Sequence, residues 1–432
     1  MDQTDALGPV EAEVRRRLSL AEAVDGTLNS LVLLDRDGAL AHARRLDGAG
    51  PGARGPLHGR VVVVKDNVDV AGQVTACASR AHSGRPARRD AGVVARLRAA
   101  GAVVLGRANM DELAMGASTA TSCHGPTRNP WDPTRSPGGS SGGCAAAVAA
   151  GLADLAVGTD TGGSVREPAA QCGVLGIAPS PGLLPVDGVV PFDPSCDRVG
   201  LLAADLDLLE RALAVAADRA TADPPPLRRV GLVRELLGPP NQPGVLAVVE
   251  QAVERLRATL EVVEVSVPDA PRALEAYLAL TSVGCLPSLG PWVETGRTGA
   301  EVVRRVALGR QLREDVGRLA AAEQVRTRLR EQTRAALAGC DVLLSPTMPT
   351  TAPAFPPVGP SDAAVADPVL APYTDCWTVV ANLAGLPALS VPGGVSPVDG
   401  LPVGVMLTAA AGAEAALVGH ARLLGAALAR AA

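Results

Sequence analysis

The sequence contains almost no lysine. Of its 40 lysine and arginine residues only Lys65 is a lysine, and it follows the apolar run Val61 to Val64. The amine of lysine can lose its proton when it is removed from water, whereas a guanidinium stays charged and cannot act as a base. The exception therefore favours a catalytic lysine. A chance survivor of codon bias, or a site that only the lysine stem fits, would give the same pattern.

Aromatic residues are also scarce, at 2% of the chain, and the net charge is −5. Few aromatic side chains are left for stacking nucleic-acid bases, and the acidic balance disfavours a nucleic-acid surface. Because hydrophobic residues still reach 47%, the core must consist of Ala, Val and Leu. We therefore expect no nucleic acid as a direct partner.

Metal-binding and membrane signals are missing as well. The eight cysteines form no Cys-x-x-Cys pair and have no histidines at ligand spacing, so we expect no metal site. No uncharged apolar stretch reaches membrane-spanning length, which predicts a protein without a membrane partner. The first residues lack the apolar region of a secretory signal, and we therefore expect a cytoplasmic protein with reduced thiols.

The order of the patterns predicts one α/β/α domain over residues 1–432, with a mixed twisted central sheet covered by helices. Helical spacing runs through a segment at about 9–47, and strands then alternate with helices through a core at about 55–215. A C-terminal portion at about 228–432 contains further strand and helix patterns. The Pro-rich segments are short, so we interpret them as surface loops on one core.

Two glycine-rich turns place serines beside free backbone N–H groups. Ser140 lies within the turn at 137–143 before an Ala-rich helix, and Ser164 follows the turn at 160–163. No histidine flanks either turn, so base, relay and nucleophile would come from Lys65 and the two serines, which is a known variant of triad logic. Plain flexible loops would look the same. Phosphate binding fits less well, because the first turn lacks the Gly-Lys-Ser/Thr ending of a P-loop.

Several motifs occur in the order and with the gaps of one family. They are Val64-Lys65-Asp66-Asn67, Gly138-Gly139-Ser140-Ser141-Gly142-Gly143 and Gly158-Thr159-Asp160-Thr161-Gly162-Gly163-Ser164-Val165-Arg166. With supporting stretches near residues 125–132, 172–176 and 382–387, the chain resembles the amidase signature family. The resemblance implies that family's fold, an acyl-enzyme mechanism, and neither cofactor nor metal.

The resemblance also implies roles for individual residues. Ser164 would be the nucleophile, Ser140 the relay serine after a cis peptide from Gly139, and Lys65 the base. The oxyanion would lie at the N–H groups of Thr161, Gly162 and Gly163, and the turn would be supported by Asp160 and Arg166. The substrate pocket would include Met115, Asp375 and Arg305, of which the last two are similar to positions that hold the amino and carboxylate groups of glutamine. A helix cap at Asp375 and a solvated charge at Arg305 are the alternatives.

Two branches of the family fit the stretch at residues 109–122. One contains stand-alone hydrolases of small polar amides, and the other contains the A subunit of glutamyl-tRNA amidotransferase. Because the chain is short for the second branch and its middle region matches loosely, the sequence favours an amidase that hydrolyses a small carboxamide. Its partner would be that small-molecule substrate, with a homodimer as the assembly. The alternative is the glutaminase subunit of a tRNA-dependent amidotransferase complex.

Overall fold

The computed structural model describes residues 7–219, 226–355 and 376–429. Its centre is one mixed sheet of eleven strands covered by helices, so the predicted single α/β domain is confirmed. The strands are β1 Leu31–Leu34, β2 Val61–Lys65, β3 Val103–Ala108, β4 Leu155–Asp160, β5 Leu175–Ala178, β6 Arg198–Ala203, β7 Arg229–Val233, β8 Glu261–Val265, β9 Val342–Pro346, β10 Ala388–Val395 and β11 Pro402–Thr408.

The described residues also form thirteen α-helices. They are α1 Pro9–Leu28, α2 Arg36–Asp47, α3 Gly92–Ala99, α4 Gly142–Ala149, α5 Arg166–Cys172, α6 Leu206–Ala217, α7 Pro243–Arg257, α8 Ala273–Gly284, α9 Leu286–Val293, α10 Ala300–Glu314, α11 Val316–Leu337, α12 Val379–Ala384 and α13 Glu414–Ala429.

The strand order across the sheet is β1-β3-β2-β4-β6-β5-β10-β11-β9-β7-β8. Strand β2 runs parallel to both of its neighbours, β3 and β4, whereas β6, β5, β10 and β11 pair antiparallel. Because β2 and β4 are adjacent and parallel, their carboxyl ends meet at the same edge of the sheet. Lys65 ends β2 and Asp160 ends β4, so this edge gathers the two motifs.

The buried run of β2 explains its central place. Val62 and Val64 belong to the core cluster on one face of the sheet, and Val61 and Val63 belong to the cluster on the other face. Successive side chains of a strand point to opposite faces, so a strand covered on both sides needs apolar residues at every position. The valine run therefore fixes β2 inside the sheet and places Lys65 at its buried end.

The N-terminal segment differs from the continuous helical pattern predicted for about 9–47. Helix α1 ends at Leu28, and the next residue, Asn29, adopts left-handed φ and ψ angles of 52° and 41°. Strand β1 follows and pairs antiparallel with β3 at the sheet edge before α2 begins. The β-prone run Leu31 to Leu34 gains more by pairing with this edge than by continuing a helix.

No single helix in the described ranges is long and apolar enough to cross a membrane. The bent pair Ala270–Gly284 and Leu286–Val293, whose axes differ by 62°, has the length and composition only when both helices are counted together.

Candidate active site

Lys65 lies at the carboxyl end of β2 and is fully buried. Its Nζ lies 2.8 Å from Ser140 Oγ, 2.9 Å from Thr159 Oγ1 and 3.4 Å from the Thr159 carbonyl oxygen. These neighbours are hydroxyl and carbonyl groups, which carry no formal charge. The amine is thus removed from water, and no carboxylate of the described residues is in direct contact with it.

This burial lowers the pKa of Lys65 from 10.5 to about 8. Loss of hydration is the largest cause, and nearby acidic groups, among them the carboxylates of Asp111 and Asp160, oppose it by favouring the ammonium form. A lysine with a pKa near 8 is neutral in a sizeable fraction of molecules at mildly alkaline pH. It can therefore accept a proton, as general-base chemistry requires.

Ser140 is held in a glycine-rich turn directly before α4. Gly138 has a φ of 82°, and the peptide between Gly139 and Ser140 is cis. The turn is anchored by Thr119, whose hydroxyl donates to the Gly138 carbonyl at 2.8 Å and accepts from the Gly142 N–H at 3.1 Å. The rigid turn fixes the Ser140 hydroxyl against the lysine amine.

Ser164 lies between β4 and α5, and it is 7% exposed. Its carbonyl accepts a hydrogen bond of 3.1 Å from the Ser141 N–H, which ties the two serine turns together. In the described part of the chain the N–H groups of Gly162, Gly163 and Ser164 donate no backbone hydrogen bond. Free N–H groups beside a nucleophile are the material of an oxyanion hole.

The shape of this second turn depends on Gly163 and Thr378. Gly163 has a φ of 147°, and a Cβ atom there would lie 2.1 Å from Thr378 Oγ1. The Thr378 hydroxyl donates to the Gly162 carbonyl at 2.6 Å. Thr161 donates its hydroxyl to Asp197 Oδ1 at 2.6 Å. The carbonyls therefore point into the protein, and the N–H groups are left for a ligand.

Asp160 and Arg166 form a fully buried ion pair below the Ser164 turn. Arg166 Nη2 and Nε donate to the Asp160 carboxylate at 2.9 and 3.1 Å, and the Asn382 amide donates to Asp160 Oδ1 at 2.9 Å. Burial raises the pKa of Asp160, but Arg166 and Asn382 outweigh it and hold that pKa at about 2. Asp160 also accepts from the Val165 N–H at 3.1 Å. The pair thus anchors the turn that carries Ser164.

Asp111 is a buried residue of the site that sequence reasoning missed. Its carboxylate accepts hydrogen bonds from the N–H groups of Ser118, Thr119, Ala120 and Thr121 and from the Thr121 hydroxyl, at 2.8–3.3 Å. Its own N–H donates to the Ser140 carbonyl at 3.3 Å. Asp111 therefore organises the loop that braces the Ser140 turn. The residue stands inside the stretch at 109–122, so its presence there was the available signal.

The structure describes two of the three predicted pocket residues, Met115 and Arg305. Met115 is buried in an apolar cluster with Phe192, Leu289 and Val302. Arg305 lies on α10 and is 9% exposed, and its Nε and Nη1 have no hydrogen-bond partner among the described residues. It is therefore not the solvated surface charge that was the alternative. Asp375 lies outside the described residues.

A cavity of about 260 Å³ adjoins the site on the side of Thr159 and Thr161, and Asn67 and Arg198 also line it. Asn67 Oδ1 and Arg198 Nε are buried there without a partner in the described ranges. Within those same ranges, no group of three or more His, Cys, Asp or Glu side chains could hold a metal ion.

A buried lysine, two linked serine turns and free N–H groups define an enzyme that acts on amide C–N bonds. The amidase family model matches residues 12–418, and the chain belongs to this family. A crystal structure of an amidase superposes with a TM-score of 0.87 at 30% identity, covering 96% of each chain.

Several similar relatives share one name. The A subunit of glutamyl-tRNA(Gln) amidotransferase from Symbiobacterium thermophilum is 41% identical over 438 residues, covering 90% of this chain and 88% of that protein. Its counterpart from Acidothermus cellulolyticus is 40% identical and covers 92% and 87%. The solved structure of the A subunit from Thermotoga maritima has a TM-score of 0.78 at 31% identity, covering 95% and 90%.

These relatives correct two predictions. The prediction of a stand-alone amidase of small carboxamides is wrong, because the similar proteins are named as subunits of an amidotransferase. The expected partners, a small amide and a second copy of the chain without nucleic acid, are wrong for the same reason. The prediction relied on the chain being short for that branch. This chain spans 88% of the Symbiobacterium protein, so its length does not argue against that branch.

Proposed function

We propose that this chain is the glutaminase subunit of a glutamyl-tRNA(Gln) amidotransferase, which releases ammonia from glutamine for use on glutamyl-tRNA(Gln) by the assembly. The observation that carries the proposal is identity of 41% and 40% to subunits named for this enzyme, across about nine tenths of the chain. Other protein subunits and the tRNA would then be its partners.

The first chemical step would be the transfer of two protons. Neutral Lys65 accepts the proton of Ser140, and Ser140 accepts that of Ser164, which becomes the nucleophile. The 2.8 Å contact between Lys65 Nζ and Ser140 Oγ supports the first transfer. Ser164 Oγ attacks the side-chain carbonyl of glutamine, and the negative charge develops at the N–H groups of the 161–164 turn. Losing one such donor costs on the order of 3 kcal/mol in comparable sites.

Collapse of the tetrahedral intermediate releases ammonia. Ser140 gives its proton to the leaving nitrogen, and Lys65 in turn reprotonates Ser140, so the amine is neutral again. The acyl group remains on Ser164 as a glutamyl ester. Water, deprotonated through the same two residues, then attacks the ester and releases glutamate. Asp160 and Arg166 touch no reacting atom in this scheme and act by supporting the turn.

Arg305 supports glutamine as the substrate. Its buried guanidinium has two unpartnered N–H positions, and a buried charge without a partner is costly. The α-carboxylate of glutamine would accept a charge-assisted hydrogen bond at one of these positions. Met115 would contribute an apolar wall, and Asp375 would keep the role implied by the resemblance, as the partner of the α-amino group.

The test is ammonia release from L-glutamine by the purified chain, alone and together with the other amidotransferase subunits. We expect Ser164→Ala and Lys65→Arg to abolish release while the fold persists. Arg305→Met should raise KM for glutamine roughly 10- to 100-fold, because hydrogen bonds to charged groups contribute about 1.5–3 kcal/mol.

Arg304→Met is the matched control, since its neighbouring guanidinium is 49% exposed and bound to Glu301. Its KM should stay at the wild-type value. Hydrolysis of simple primary amides with no release from glutamine in either preparation would refute the proposal. Wild-type KM in Arg305→Met would refute the assignment of that residue.

A further inference from the structure

The amine of Lys65 has a set of polar neighbours that fixes its orientation. Besides Ser140 Oγ, its hydrogen-bond partners in the part of the chain that the structure describes are two oxygens of Thr159, one from the hydroxyl and one from the carbonyl. The lysine side chain is fully buried, so these contacts are shielded from competing water. A four-methylene side chain rotates freely unless its end is held, and Thr159 is the residue that holds it.

Counting donors and acceptors shows what Thr159 does to the neutral amine. A neutral amine has two N–H donors and one lone pair. The Thr159 carbonyl can only accept, so it takes one N–H. The Thr159 hydroxyl oxygen lies 2.9 Å away and takes the other. The lone pair is then left for the remaining neighbour, the hydroxyl of Ser140, from which the base must accept a proton.

Asn67 keeps the Thr159 hydroxyl in this accepting role. The Asn67 Nδ2 donates to Thr159 Oγ1 at 3.0 Å, and an amide N–H can only donate. The Asn67 backbone is fixed in turn, since its carbonyl accepts from the Val190 N–H at 2.9 Å. With both lone pairs of Thr159 Oγ1 engaged, its own hydrogen has to point away from Lys65 and Asn67; Thr159 and Asn67 both line the neighbouring cavity.

We infer that Thr159 and Asn67 are positioning residues that aim the lone pair of Lys65 at Ser140. Neither residue touches the substrate's reacting atoms in this scheme. The inference rests on the role of Lys65 as base in the proposed function. It adds a reason why the lone pair of the amine faces the hydroxyl of the relay serine.

Other ionisable groups also act on Lys65 and must be held constant in a test. The carboxylates of Asp111 after β3 and Asp160 at the end of β4 favour its ammonium form, and burial opposes them. The thiols of Cys144 in α4 and of Cys77 are the other acidic groups near the amine, and burial raises the pKa of both. The pair Thr159 and Asn67 is uncharged, so changing it leaves these charges in place. A change in the titration of Lys65 then reports the lost hydrogen bond.

The single lysine allows a direct measurement without substrate. Protein labelled with [13Cε]lysine gives one ε-methylene signal, and its chemical shift follows the protonation of Lys65. Thr159→Val removes an acceptor that the ammonium form uses, so its titration midpoint should fall by about one pH unit, the equivalent of about 1.4 kcal/mol. Thr159→Ser keeps the hydroxyl and should retain the wild-type midpoint.

The same variants should separate in kcat/KM for ammonia release from glutamine by the full assembly. At a pH above every midpoint, Thr159→Val and Asn67→Leu should lose roughly 10- to 100-fold, because the lone pair is no longer aimed. Thr159→Ser should recover most of this loss. Thr333→Val is the matched control, since Thr333 is also buried and its hydroxyl donates to Leu329 on a distant helix. It should change neither quantity.

A wild-type midpoint in Thr159→Val, or wild-type kcat/KM in that variant at high pH, would overturn the inference. Equal losses in Thr333→Val would do the same, because they would show a general effect of losing a buried hydroxyl. Failure of the proposed function looks different. Full activity in Lys65→Arg would show that Lys65 is not the base, and the titration midpoints measured in the Thr159 variants would be unaffected by that result.

Discussion

Replacing Lys65 by methionine should abolish turnover and yet stabilise the protein near neutral pH. The pKa of Lys65 falls from 10.5 to about 8 on burial, and the group is completely enclosed. At 1.36 kcal/mol for each pH unit, holding the ammonium form inside the fold costs roughly 3 kcal/mol. Methionine fills a similar volume without a charge, so this cost disappears.

Lost hydrogen bonds reduce the gain. Ser140 Oγ loses a buried partner in the methionine variant, whereas Thr159 Oγ1 still accepts from Asn67. One unpaired hydroxyl costs about 1 kcal/mol, which leaves a net stabilisation of about 2 kcal/mol. For a chain of this length the entropy of unfolding is about 0.9 kcal/mol per kelvin, so Tm should rise by about 2 °C.

The stability difference between Lys65→Met and the wild type should depend on pH. Between the folded pKa of about 8 and the unfolded value of 10.5, the unfolded chain binds more protons than the folded one. Stability of the wild type therefore rises with pH across this window, and below it the full cost is present. The methionine variant lacks the group and shows no such rise. The advantage of Lys65→Met should shrink steadily from pH 8 to pH 10.5.

Scanning calorimetry at matched scan rates, together with ammonia release, provides the assay. Lys65→Arg is the informative control, since it keeps a charge that cannot be neutralised and should be both inactive and less stable than the wild type. Refutation would come from a Lys65→Met protein that is no more stable than the wild type at neutral pH. It would also come from a stability difference that stays constant as the pH rises.

Two further predictions concern the supports of the serine turns. Arg166→Met leaves Asp160 as a buried carboxylate without its counterion, so it should destabilise the fold by about 3–5 kcal/mol in chemical denaturation. Adding Asp160→Asn should recover much of this loss. Unchanged stability in the single variant would contradict the role of the pair. Asp111→Asn places an amide where five donors need a carboxylate, so we expect reduced turnover. It also removes a charge that favours the ammonium form, so the pKa of Lys65 in the lysine ε-carbon titration should fall. An unchanged titration would contradict the electrostatic part.

The local features of the site could be predicted from the sequence because they depend on neighbouring residues. The run Val61 to Val64 specifies a strand buried on both faces, and Lys65 must then lie at its end. Each serine stands beside glycines that permit a tight turn, as Gly138 with its φ of 82° shows. The alternation of strands and helices indicates a parallel or mixed sheet, but it does not specify that β2 and β4 are neighbours.

Contacts across long sequence separations could not be predicted. Arg166 reaches Asn382, which is 216 residues away, and no local pattern specifies which amide will face a guanidinium. The Asp111 carboxylate holds its loop mainly through hydrogen bonds from the backbone N–H groups of that loop. Every residue except proline has such a group, so the sequence does not mark these contacts. The substrate prediction was wrong for a different reason, because it relied on chain length, and this chain spans 88% of the Symbiobacterium protein.

The buried charges of the site show what an arginine would meet at the position of Lys65. Asp160 is paired with Arg166, and Asp66 is paired with Arg107 at 2.7 Å. Among the described residues Lys65 has no such ion pair, and its direct neighbours are the hydroxyls of Ser140 and Thr159 and a carbonyl. Hydroxyls accept from an ammonium but compensate its lost hydration only partly, so the proton is bound weakly. A guanidinium in this position would stay charged without a counterion. On the proposed role of Lys65 as the base, the one lysine of the chain thus lies where a cation has to be able to lose its charge.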